Sequence, residues 1–308
     1  MNRWIVLLPL LLVGCGRTEA RSIDAELVPV VVEPDQISRR VGWGDRWVQV
    51  AVGPFGHCVR SLYGRVECGS EEPVVLVERG ARDISVGGLG VWSQTSWGCA
   101  LLEGDELACI STEFFAPPSE PARLPVPAGT QRISIGYQTG CALTDRGEVW
   151  CSQGYGLSEP LFEVTGLRGA TQIDCGYGLC CALMPGGAVS CASLFDIGNA
   201  DPKALAVQLR APAVSVSAGM WHACALFADG KSQCWGDDGE AATPNVSGTA
   251  IAAGMQASCV LTAQSAVKCT GDLGEPFDEP VSTFDAFGDV CALTQSGALR
   301  CVRDHAGW

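Results

Sequence analysis

Pairs of cysteines separated by nine residues recur seven times along this chain of 308 residues. The clearest copy reads C-A-L-T-D-R-G-E-V-W-C and runs from Cys141 to Cys151. Fourteen of the seventeen cysteines have this spacing, so the chain is predicted to repeat one structural unit seven times. The pairs are Cys58 with Cys68, Cys99 with Cys109, Cys141 with Cys151, Cys181 with Cys191, Cys224 with Cys234, Cys259 with Cys269 and Cys291 with Cys301.

Each unit is predicted to be a β-hairpin. Six of the seven copies have an apolar residue two positions after the first cysteine, and six have one two positions before the second, as Leu143 and Val149 illustrate. Five copies have a glycine six positions after the first cysteine, which suits the positive φ of a short hairpin loop. If Cys141 pairs with Cys151, Leu143 pairs with Val149, and all four side chains lie on one face.

The paired cysteines are predicted to form disulfides within the hairpins. Residues in a non-hydrogen-bonded antiparallel pair have Cα atoms roughly 4.5 Å apart, and a disulfide closes that gap without moving the backbone. The alternatives are reduced buried cysteines or zinc ligands, but the spacing lacks the C-x2-C knuckle of zinc sites. Three histidines are too few to complete seven metal sites, so we expect no metal. Each disulfide is expected to add about 2.5 to 3 kcal/mol to the free energy of unfolding.

Two further cysteines precede the fourth hairpin. Cys175 and Cys180 could form an eighth pair across the turn that leads into Cys181. Alternatively, Cys180 competes with Cys181 for Cys191. Successive side chains of a strand point to opposite faces, so only one of the two adjacent cysteines can face Cys191. Pairing of Cys181 with Cys191 is favoured, because that register matches the other six hairpins. The pairing of Cys175 and Cys180 stays open at this point.

Residues 1–14 are predicted to be a signal peptide. Arg3 gives a short positive start, and the apolar stretch Ile5 to Val13 is too short to span a bilayer. Leu12-Val13-Gly14-Cys15 resembles a bacterial lipobox, which marks Cys15 for lipidation and for cleavage before it. The alternative is an ordinary secretory signal with an incidental cysteine. Residues 15–26 would then be a lipid-anchored tether, and the protein would lie in the cell envelope, in the outer membrane or at the cell surface, where disulfides persist.

The segments between the hairpins indicate two more strands in each repeat. P-V-V-L-V (Pro73 to Val77) precedes D-I-S-V-G (Asp83 to Gly87), and similar segments recur along the chain. Four short strands in about 32 to 43 residues are typical of a propeller blade. We therefore predict an all-β fold, a seven-bladed β-propeller of four-stranded antiparallel blades over residues 27–308. The last repeat lacks a P-V-V-L-V strand, so Pro29-Val30-Val31-Val32 is predicted to complete the seventh blade and close the ring.

The fifth repeat resembles a known family. It contains Ala218-Gly219, His222-Ala223-Cys224-Ala225-Leu226, Asp229-Gly230 and Cys234-Trp235-Gly236. This order looks like the repeat of the regulator of chromosome condensation family, and is similar to its cysteine-containing versions in exported bacterial proteins. The resemblance extends over residues 27–305 and implies a β-propeller. It implies little about activity, because one fold hosts many functions.

The sequence offers little that could carry catalysis. The net charge of −14 argues against binding to nucleic acid and against adsorption to anionic lipid. No nucleophile elbow or phosphate loop appears, and His57, His222 and His305 occupy different repeat positions. We therefore expect no catalytic residue, no cofactor and no enzymatic activity. The alternative is a secreted propeller lyase or hydrolase, which would place two titratable groups within hydrogen-bond reach in a pocket at the channel mouth.

A partner surface is indicated by one position of the repeat. Four residues before the first cysteine the chain carries mostly large apolar residues, and aromatic residues follow in two copies: Pro54, Thr95, Tyr137, Tyr177, Met220, Met255 and Phe287, then Phe55 and Trp221. In a propeller this turn lies on one face of the disc. These side chains could bind a partner there, or they could plug the central channel.

A second candidate anchor is Phe114-Phe115, in a proline-rich segment over residues 111–129. Those two rings could equally pack under their own loop. The expected partner is an unidentified protein or cell-wall component, and contact with the membrane is expected only through the lipid. We expect the chain to act as a monomeric binding or scaffold module.

The lipidation hypothesis predicts that globomycin, which blocks the lipoprotein signal peptidase, leaves the precursor uncleaved. Cys15→Ser should likewise prevent attachment of the acyl chains, because the thiol that accepts the lipid is gone. Intact mass spectrometry measures cleavage of the precursor and attachment of the acyl chains. The untreated native chain is the control for both experiments. Normal processing in the presence of globomycin would make Cys15 an incidental cysteine.

Overall fold

The chain folds as a seven-bladed antiparallel β-propeller in a computed structural model. The model describes residues 30–31, 46–54, 56–69, 73–88, 95–113, 121–153, 157, 160–195, 202–237, 239 and 242–303. These residues form seven sheets and three short 3-10 turns, so the predicted fold class is confirmed. The predicted signal peptide, tether and Cys15 lie outside the described residues. No helix among the described residues is long and apolar enough to cross a membrane.

Within each blade the strands follow one another outward from the centre of the disc. One two-residue strand, β1 (Val30–Val31), precedes the first blade in the sequence. Blade 1 contains β2 (Trp47–Gly53), β3 (Gly56–Ser61), β4 (Val66–Cys68) and β5 (Val74–Val77). Blade 2 contains β6 (Ala81–Gly88), β7 (Thr95–Leu102), β8 (Glu106–Glu113) and β9 (Ala122–Pro125). Blade 3 contains β10 (Thr130–Ile135), β11 (Thr139–Thr144), β12 (Val149–Gln153) and β13 (Phe162–Glu163). Blade 4 contains β14 (Gln172–Cys175), β15 (Leu179–Leu183), β16 (Val189–Ser193) and β17 (Ala204–Ala206).

The last three blades are built differently at their outer edges. Blade 5 contains β18 (Ala213–Ala218), β19 (His222–Phe227) and β20 (Ser232–Gly236), and blade 6 contains β21 (Ala250–Ala253), β22 (Ser258–Leu261) and β23 (Val267–Cys269). Both have three strands within the described residues, because their connections to the next hairpin are the two shortest in the chain. Blade 7 contains β24 (Val281–Ala286), β25 (Asp289–Thr294) and β26 (Leu299–Arg303).

The N-terminal strand closes the ring as predicted. β1 pairs antiparallel with β26, with Val30 opposite Cys301 and Val31 opposite Arg300. The seventh sheet therefore has four strands, in the order β1-β26-β25-β24. Strands from the two ends of the chain thus share one sheet, which covers the outer edge of blade 7.

The hairpin disulfides have the predicted register. In all seven hairpins the two cysteines are direct partners, with Cα atoms 4.0 to 4.1 Å apart. The bonds join Cys58 to Cys68, Cys99 to Cys109, Cys141 to Cys151, Cys181 to Cys191, Cys224 to Cys234, Cys259 to Cys269 and Cys291 to Cys301. Cys175 and Cys180 form an eighth disulfide between β14 and β15, which answers the question that the sequence left open.

The hairpin turns keep their geometry even where the glycine is replaced. At the two turns that lack the glycine, Asp105 and Ser265 take its place with φ of 59° and 63°. Both residues thus adopt the left-handed conformation that glycine adopts most easily. The turn is therefore set by the pairing of the flanking strands and not by the glycine alone.

The first strands of the seven blades surround the central channel, and each contacts the first strand of the next blade. A glycine near the end of these strands lets neighbouring backbones meet. A Cβ on Gly136 would lie 2.1 Å from the carbonyl oxygen of Gly176. A Cβ on Gly176 would lie 1.8 Å from that of Gly219. Only glycine fits at this distance, so the repeated A-G or V-G pattern is a requirement of the close inner ring.

Backbone hydrogen bonds join the blades at the same level. In blades 2 to 6, the residue that directly follows the crowded glycine donates its backbone amide hydrogen to a carbonyl oxygen of the next blade. The bonds are Gly88 to Gly136 (3.3 Å), Tyr137 to Gly176 (3.0 Å), Tyr177 to Gly219 (3.3 Å), Met220 to Gly254 (3.1 Å) and Met255 to Phe287 (2.8 Å). In blade 1 the residue after Gly53 is Pro54, which has no amide hydrogen to donate.

Ring closure can be tested by replacing residues 27–32 with a glycine-serine segment of equal length. We expect the melting temperature to fall by about 4 to 8 °C, if opening the ring costs about 2 kcal/mol, because β26 loses its partner strand. Val30→Thr with Val31→Thr is the matched control, since it keeps strand propensity and backbone hydrogen bonds. Equal melting temperatures for the native chain and the glycine-serine variant would contradict the closure.

Candidate functional site

One repeated position of the inner strands supplies the polar side chains that line the central cavity. It is the residue paired with the first cysteine of each hairpin. This position holds small or acidic residues in all seven blades: Ala51, Ser85, Ser134, Asp174, Ser217, Ala252 and Asp285. Five of the seven can accept hydrogen bonds through their side chains. The channel is therefore polar at this position of the inner strands, although the surfaces that pack between neighbouring blades are apolar.

Each of these five side chains accepts a hydrogen bond from a backbone amide of the next blade. The bonds are Ile135 to Ser85 (2.8 Å), Cys175 to Ser134 (2.9 Å), Ala218 to Asp174 (2.8 Å), Ala253 to Ser217 (2.9 Å) and Val52 to Asp285 (2.8 Å). The last of these connects blade 7 to blade 1, which is the junction where the ring closes. Amides that face the channel would otherwise lack a partner at considerable cost.

Asp174 has the most complete set of donors in the channel. Its Oδ2 accepts from the Ser217 hydroxyl at 2.9 Å as well as from the Ala218 amide, and its Oδ1 accepts from the Ser134 hydroxyl at 3.0 Å and the Cys175 amide at 3.2 Å. Burial nevertheless raises the pKa of this carboxyl above its usual range. The carboxylate thus ties blades 3, 4 and 5 together from inside the channel.

Asp285 is the second channel carboxyl. Its Oδ1 accepts from the Ala286 amide at 2.9 Å, in addition to the bond from Val52. Burial, helped by the negative charge of Asp174, raises the pKa of Asp285 to about 7 even though the hydrogen bonds from the Val52 and Ala286 amides act to lower it. Asp285 is therefore the channel group whose charge changes near neutral pH.

Both carboxyl groups line one cavity of about 340 Å³, a volume that includes space open to solvent. Among the described residues that line it there is no histidine. His57 lies instead with its Nδ1 3.8 Å from the Cys301 sulfur, and burial lowers its pKa to about 4. His222 places its Nε2 2.7 Å from the Ser258 hydroxyl, and His305 lies outside the described residues. The carboxylates are occupied by backbone and serine donors, an arrangement typical of a structural role.

Two clusters of described residues have the composition of metal ligands. His57, Cys291 and Cys301 bring their ligand atoms within 4.8 Å of one another, and so do Cys141, Cys175 and Cys180. All five of these cysteines are in disulfides. A metal binds the thiolate and not the disulfide sulfur, so the oxidised chain offers neither cluster as a site.

The predicted ring of large side chains is divided by the structure. Tyr137, Met220 and Phe287 are buried, each with 8% or less of its surface exposed, and they pack in one cluster with the partly buried Tyr177 and Met255. These residues come from blades 3 to 7 and pack against one another at this face. Tyr137 and Phe287 therefore expose little surface, and for this part of the ring their burial favours the plug that we considered as an alternative.

Part of the ring remains accessible. Trp221 is 42% exposed and lies beside Tyr177, with ring centroids 5.5 Å apart. Phe195 is 45% exposed and also packs against Tyr177, with ring centroids 5.2 Å apart. We call Tyr177, Phe195 and Trp221 the aromatic patch. The predicted residues Phe55, Phe114 and Phe115 lie outside the described residues.

Sequence reasoning missed Phe195 and the channel carboxyls. Phe195 follows the third strand of blade 4, a position with no equivalent in the repeat pattern, so periodicity gives no signal for it. The channel residues did have a signal. Ser85, Ser134 and Asp174 are small polar residues at one fixed position in otherwise apolar inner-strand motifs. A polar residue recurring at the same register of a buried strand indicates a shared hydrogen-bonding role.

The channel carboxyl at the closing junction predicts a pH-dependent stability. Because the folded-state pKa of Asp285 lies above the usual value near 4, its stabilising contribution is present below about pH 4 and is lost as the pH rises through about 7. Asp285→Asn does not titrate but offers one acceptor oxygen where the carboxylate offers two. Its free energy of unfolding relative to the native chain should therefore rise by about 2 to 3 kcal/mol between pH 5 and pH 8, on top of a constant cost for the lost acceptor.

Urea unfolding of both proteins at pH 5 and pH 8 measures this difference. Asp237→Asn, at an exposed aspartate, is the control and should leave the pH dependence unchanged. An Asp285→Asn variant that is destabilised equally at both pH values would show that the charge of Asp285 does not control stability.

Comparison with known proteins supports this architecture. The family model of the regulator of chromosome condensation (RCC1) repeat matches residues 213–240, which contain the fifth hairpin. A search of curated proteins found no match. Solved structures share the fold at low identity. Human WBSCR16 is 13% identical, with a TM-score of 0.62 over 84% of this chain and 87% of its own.

Two further structures agree with the first. The CRINKLY WD40 ectodomain of the Arabidopsis thaliana receptor kinase ACR4 is 19% identical, with a TM-score of 0.58 over 83% of this chain and 98% of its own. Prp20p from Saccharomyces cerevisiae, described together with its binding to Gsp1p and histones, is 13% identical, with a TM-score of 0.58 over 83% of this chain and 82% of its own. The chain is thus a β-propeller similar to those of the regulator of chromosome condensation type.

Proposed function

We propose that this chain is a protein-binding module that holds its partner on the aromatic patch. The observation that carries the proposal is that two half-exposed rings, Phe195 and Trp221, both pack edge-to-face against Tyr177. Large aromatic side chains that stay exposed beside one another are characteristic of interfaces, since they lose a large apolar area to a partner at low conformational cost. Prp20p, which shares the fold, binds Gsp1p and histones.

The patch rests on a rigid base. Tyr177 packs edge-to-face against the buried Tyr137, with centroids 4.9 Å apart. The Leu194 amide donates to the Gly178 carbonyl at 2.7 Å, which holds Phe195 over a glycine whose Cβ position would overlap the ring. The buried part of the predicted ring thus supports the exposed part. Side chains held in place before binding lose less entropy when a partner arrives.

The proposal includes the compartment and the state of the chain. An oxidising, extracytoplasmic location is supported by eight disulfides, which persist in such compartments. A lipid anchor at Cys15 is supported by the sequence Leu12-Val13-Gly14-Cys15. We propose a monomer in the cell envelope, attached through lipid alone, with a protein or cell-wall component as its partner and with no enzymatic activity.

The function predicts a face-specific loss of capture from envelope extract. Phe195→Ala combined with Trp221→Ala should lower partner capture about 30-fold or more, because truncating an interface hot spot costs about 2 kcal/mol or more. Tyr63→Ala is the matched control. Tyr63 is 60% exposed in the turn between β3 and β4, at the opposite end of the strands.

Quantitative mass spectrometry of the captured proteins, and of captured cell-wall fragments, measures the effect on three variants of equal melting temperature. A partner retained by the native chain and by Tyr63→Ala, but lost from the double variant, is the expected result. Equal capture by all three variants would place the binding surface elsewhere on the disc.

A further inference from the structure

The eight disulfides differ in how deeply they are buried. The structure describes all of their cysteines, and only Cys269 and Cys301 are partly buried, whereas the others are buried. Cys269 belongs to the Cys259–Cys269 bond of blade 6, and Cys301 belongs to the Cys291–Cys301 bond of blade 7. A reagent in the solvent therefore reaches these two bonds before the others, since exchange depends on access to a sulfur atom.

One of these two bonds lies against an imidazole. The Nδ1 atom of His57 lies 3.8 Å from the Cys301 sulfur. The ring nitrogen and the sulfur atoms of Cys291 and Cys301 are all within 4.8 Å of one another. His57 belongs to β3, so the ring reaches this bond across the junction between blade 1 and blade 7. Among the described residues, no histidine or carboxylate forms a comparable cluster with the Cys259–Cys269 bond.

An imidazole in this place favours opening of the bond. Thiol–disulfide exchange becomes faster as the pKa of the leaving thiol falls, and a neighbouring imidazole that takes up a proton lowers the pKa of a thiol. Burial lowers the pKa of His57 to about 4, so the ring is uncharged at neutral pH and can accept a proton. A thiolate that forms beside the ring stabilises the protonated imidazole, because two opposite charges then lie close together.

We propose that the Cys291–Cys301 disulfide is a thiol-exchange site, at which a small thiol from the solvent forms a mixed disulfide with Cys301. Cys301 is the residue attacked because Cys291 is buried. The thiol sulfur bonds to the Cys301 sulfur, the Cys291–Cys301 bond breaks, and Cys291 leaves as a thiolate. His57 accepts the proton of the incoming thiol and gives it to Cys291. A second thiol molecule then releases Cys301 as a thiol, and the two small thiols leave as their oxidised dimer.

The site lies at the junction that closes the ring. Cys301 is opposite Val30 of β1, and Cys291 is in the neighbouring strand β25. Exchange removes the covalent link between β25 and β26 in the sheet that β1 completes. We therefore expect the thiol content of the compartment to act on the closing blade before it acts on the others. None of these residues belongs to the aromatic patch, so the site is independent of the proposed function.

Limited reaction of the native chain with 2-mercaptoethanol tests the site, with the Cys259–Cys269 bond as the control inside the same molecule. Excess N-ethylmaleimide stops the reaction and labels new thiols, and peptide mass spectrometry quantifies the label and the mercaptoethanol adduct on each cysteine. We expect the Cys291–Cys301 bond to open about tenfold or more faster than the control bond, with the label on Cys291 and the adduct on Cys301. Both bonds meet the same thiol at the same pH, so the ratio of the two rates reports a local difference.

Two variants show whether that ratio comes from the imidazole or from exposure. His57→Gln keeps a polar side chain but has no basic nitrogen, and should lower the ratio about fivefold or more. His57→Ala should lower the ratio as well, whereas it would raise the ratio if the histidine only shielded the sulfur atoms. Tyr63→Ala, in the exposed turn between β3 and β4, is the control and should leave the ratio unchanged.

Equal opening of the two bonds in the native chain would overturn the proposal, and so would an adduct on Cys291 in place of Cys301. A His57→Gln variant that keeps the native ratio, or a His57→Ala variant that raises it, would contradict the role of the imidazole and overturn the proposal too. The first two results come from the native chain, so they decide the question even if neither histidine variant folds.

Discussion

The approach of seven inner strands around one axis is the constraint on which the rest of the structure depends. At the centre of the disc, neighbouring backbones meet so closely that a Cβ on Gly176 or Gly219 would lie within about 2 Å of a carbonyl oxygen of the next blade. Crowding of this kind brings polar backbone groups together away from bulk water. Each group needs a partner there, because an unpaired buried amide is costly. The serine and aspartate side chains of the channel supply those partners from blade to blade.

The hairpin disulfides stabilise the fold at a different level. Each connects two adjacent strands of the same sheet, and the eighth connects β14 to β15 within blade 4. None of the eight joins one blade to another, so they strengthen the units and leave the order of the ring to other interactions. The order is fixed by the inner hydrogen bonds, by the packing between blades and by the pairing of β1 with β26. The two carboxyl groups of the channel belong to this second set, because each accepts a hydrogen bond from a backbone amide of the next blade.

The same crowding decides which side chains stay exposed. At the face where first strands join second strands, Tyr137, Met220 and Phe287 pack together in one cluster. Trp221 stands one residue farther along the turn than Met220, and Phe195 lies at the end of a third strand, so both are farther from the axis and remain half exposed. The buried residues hold the exposed ones in place. The exposed aromatic patch and the buried cluster are therefore parts of one structure.

The sequence by itself determined the repeat, the hairpin register, the seven disulfides of equal spacing and the closing N-terminal strand, because each depends on local periodicity or on the count of strands. It did not determine the Cys175–Cys180 pair, the three-stranded form that blades 5 and 6 have within the described residues, or which large side chains of the ring are buried and which are exposed. Those features depend on the distance between segments far apart in sequence, which a period cannot express. Only the tertiary structure decided that Trp221 is exposed while Tyr137 is buried, since exposure follows from distance to the axis and not from position in the repeat.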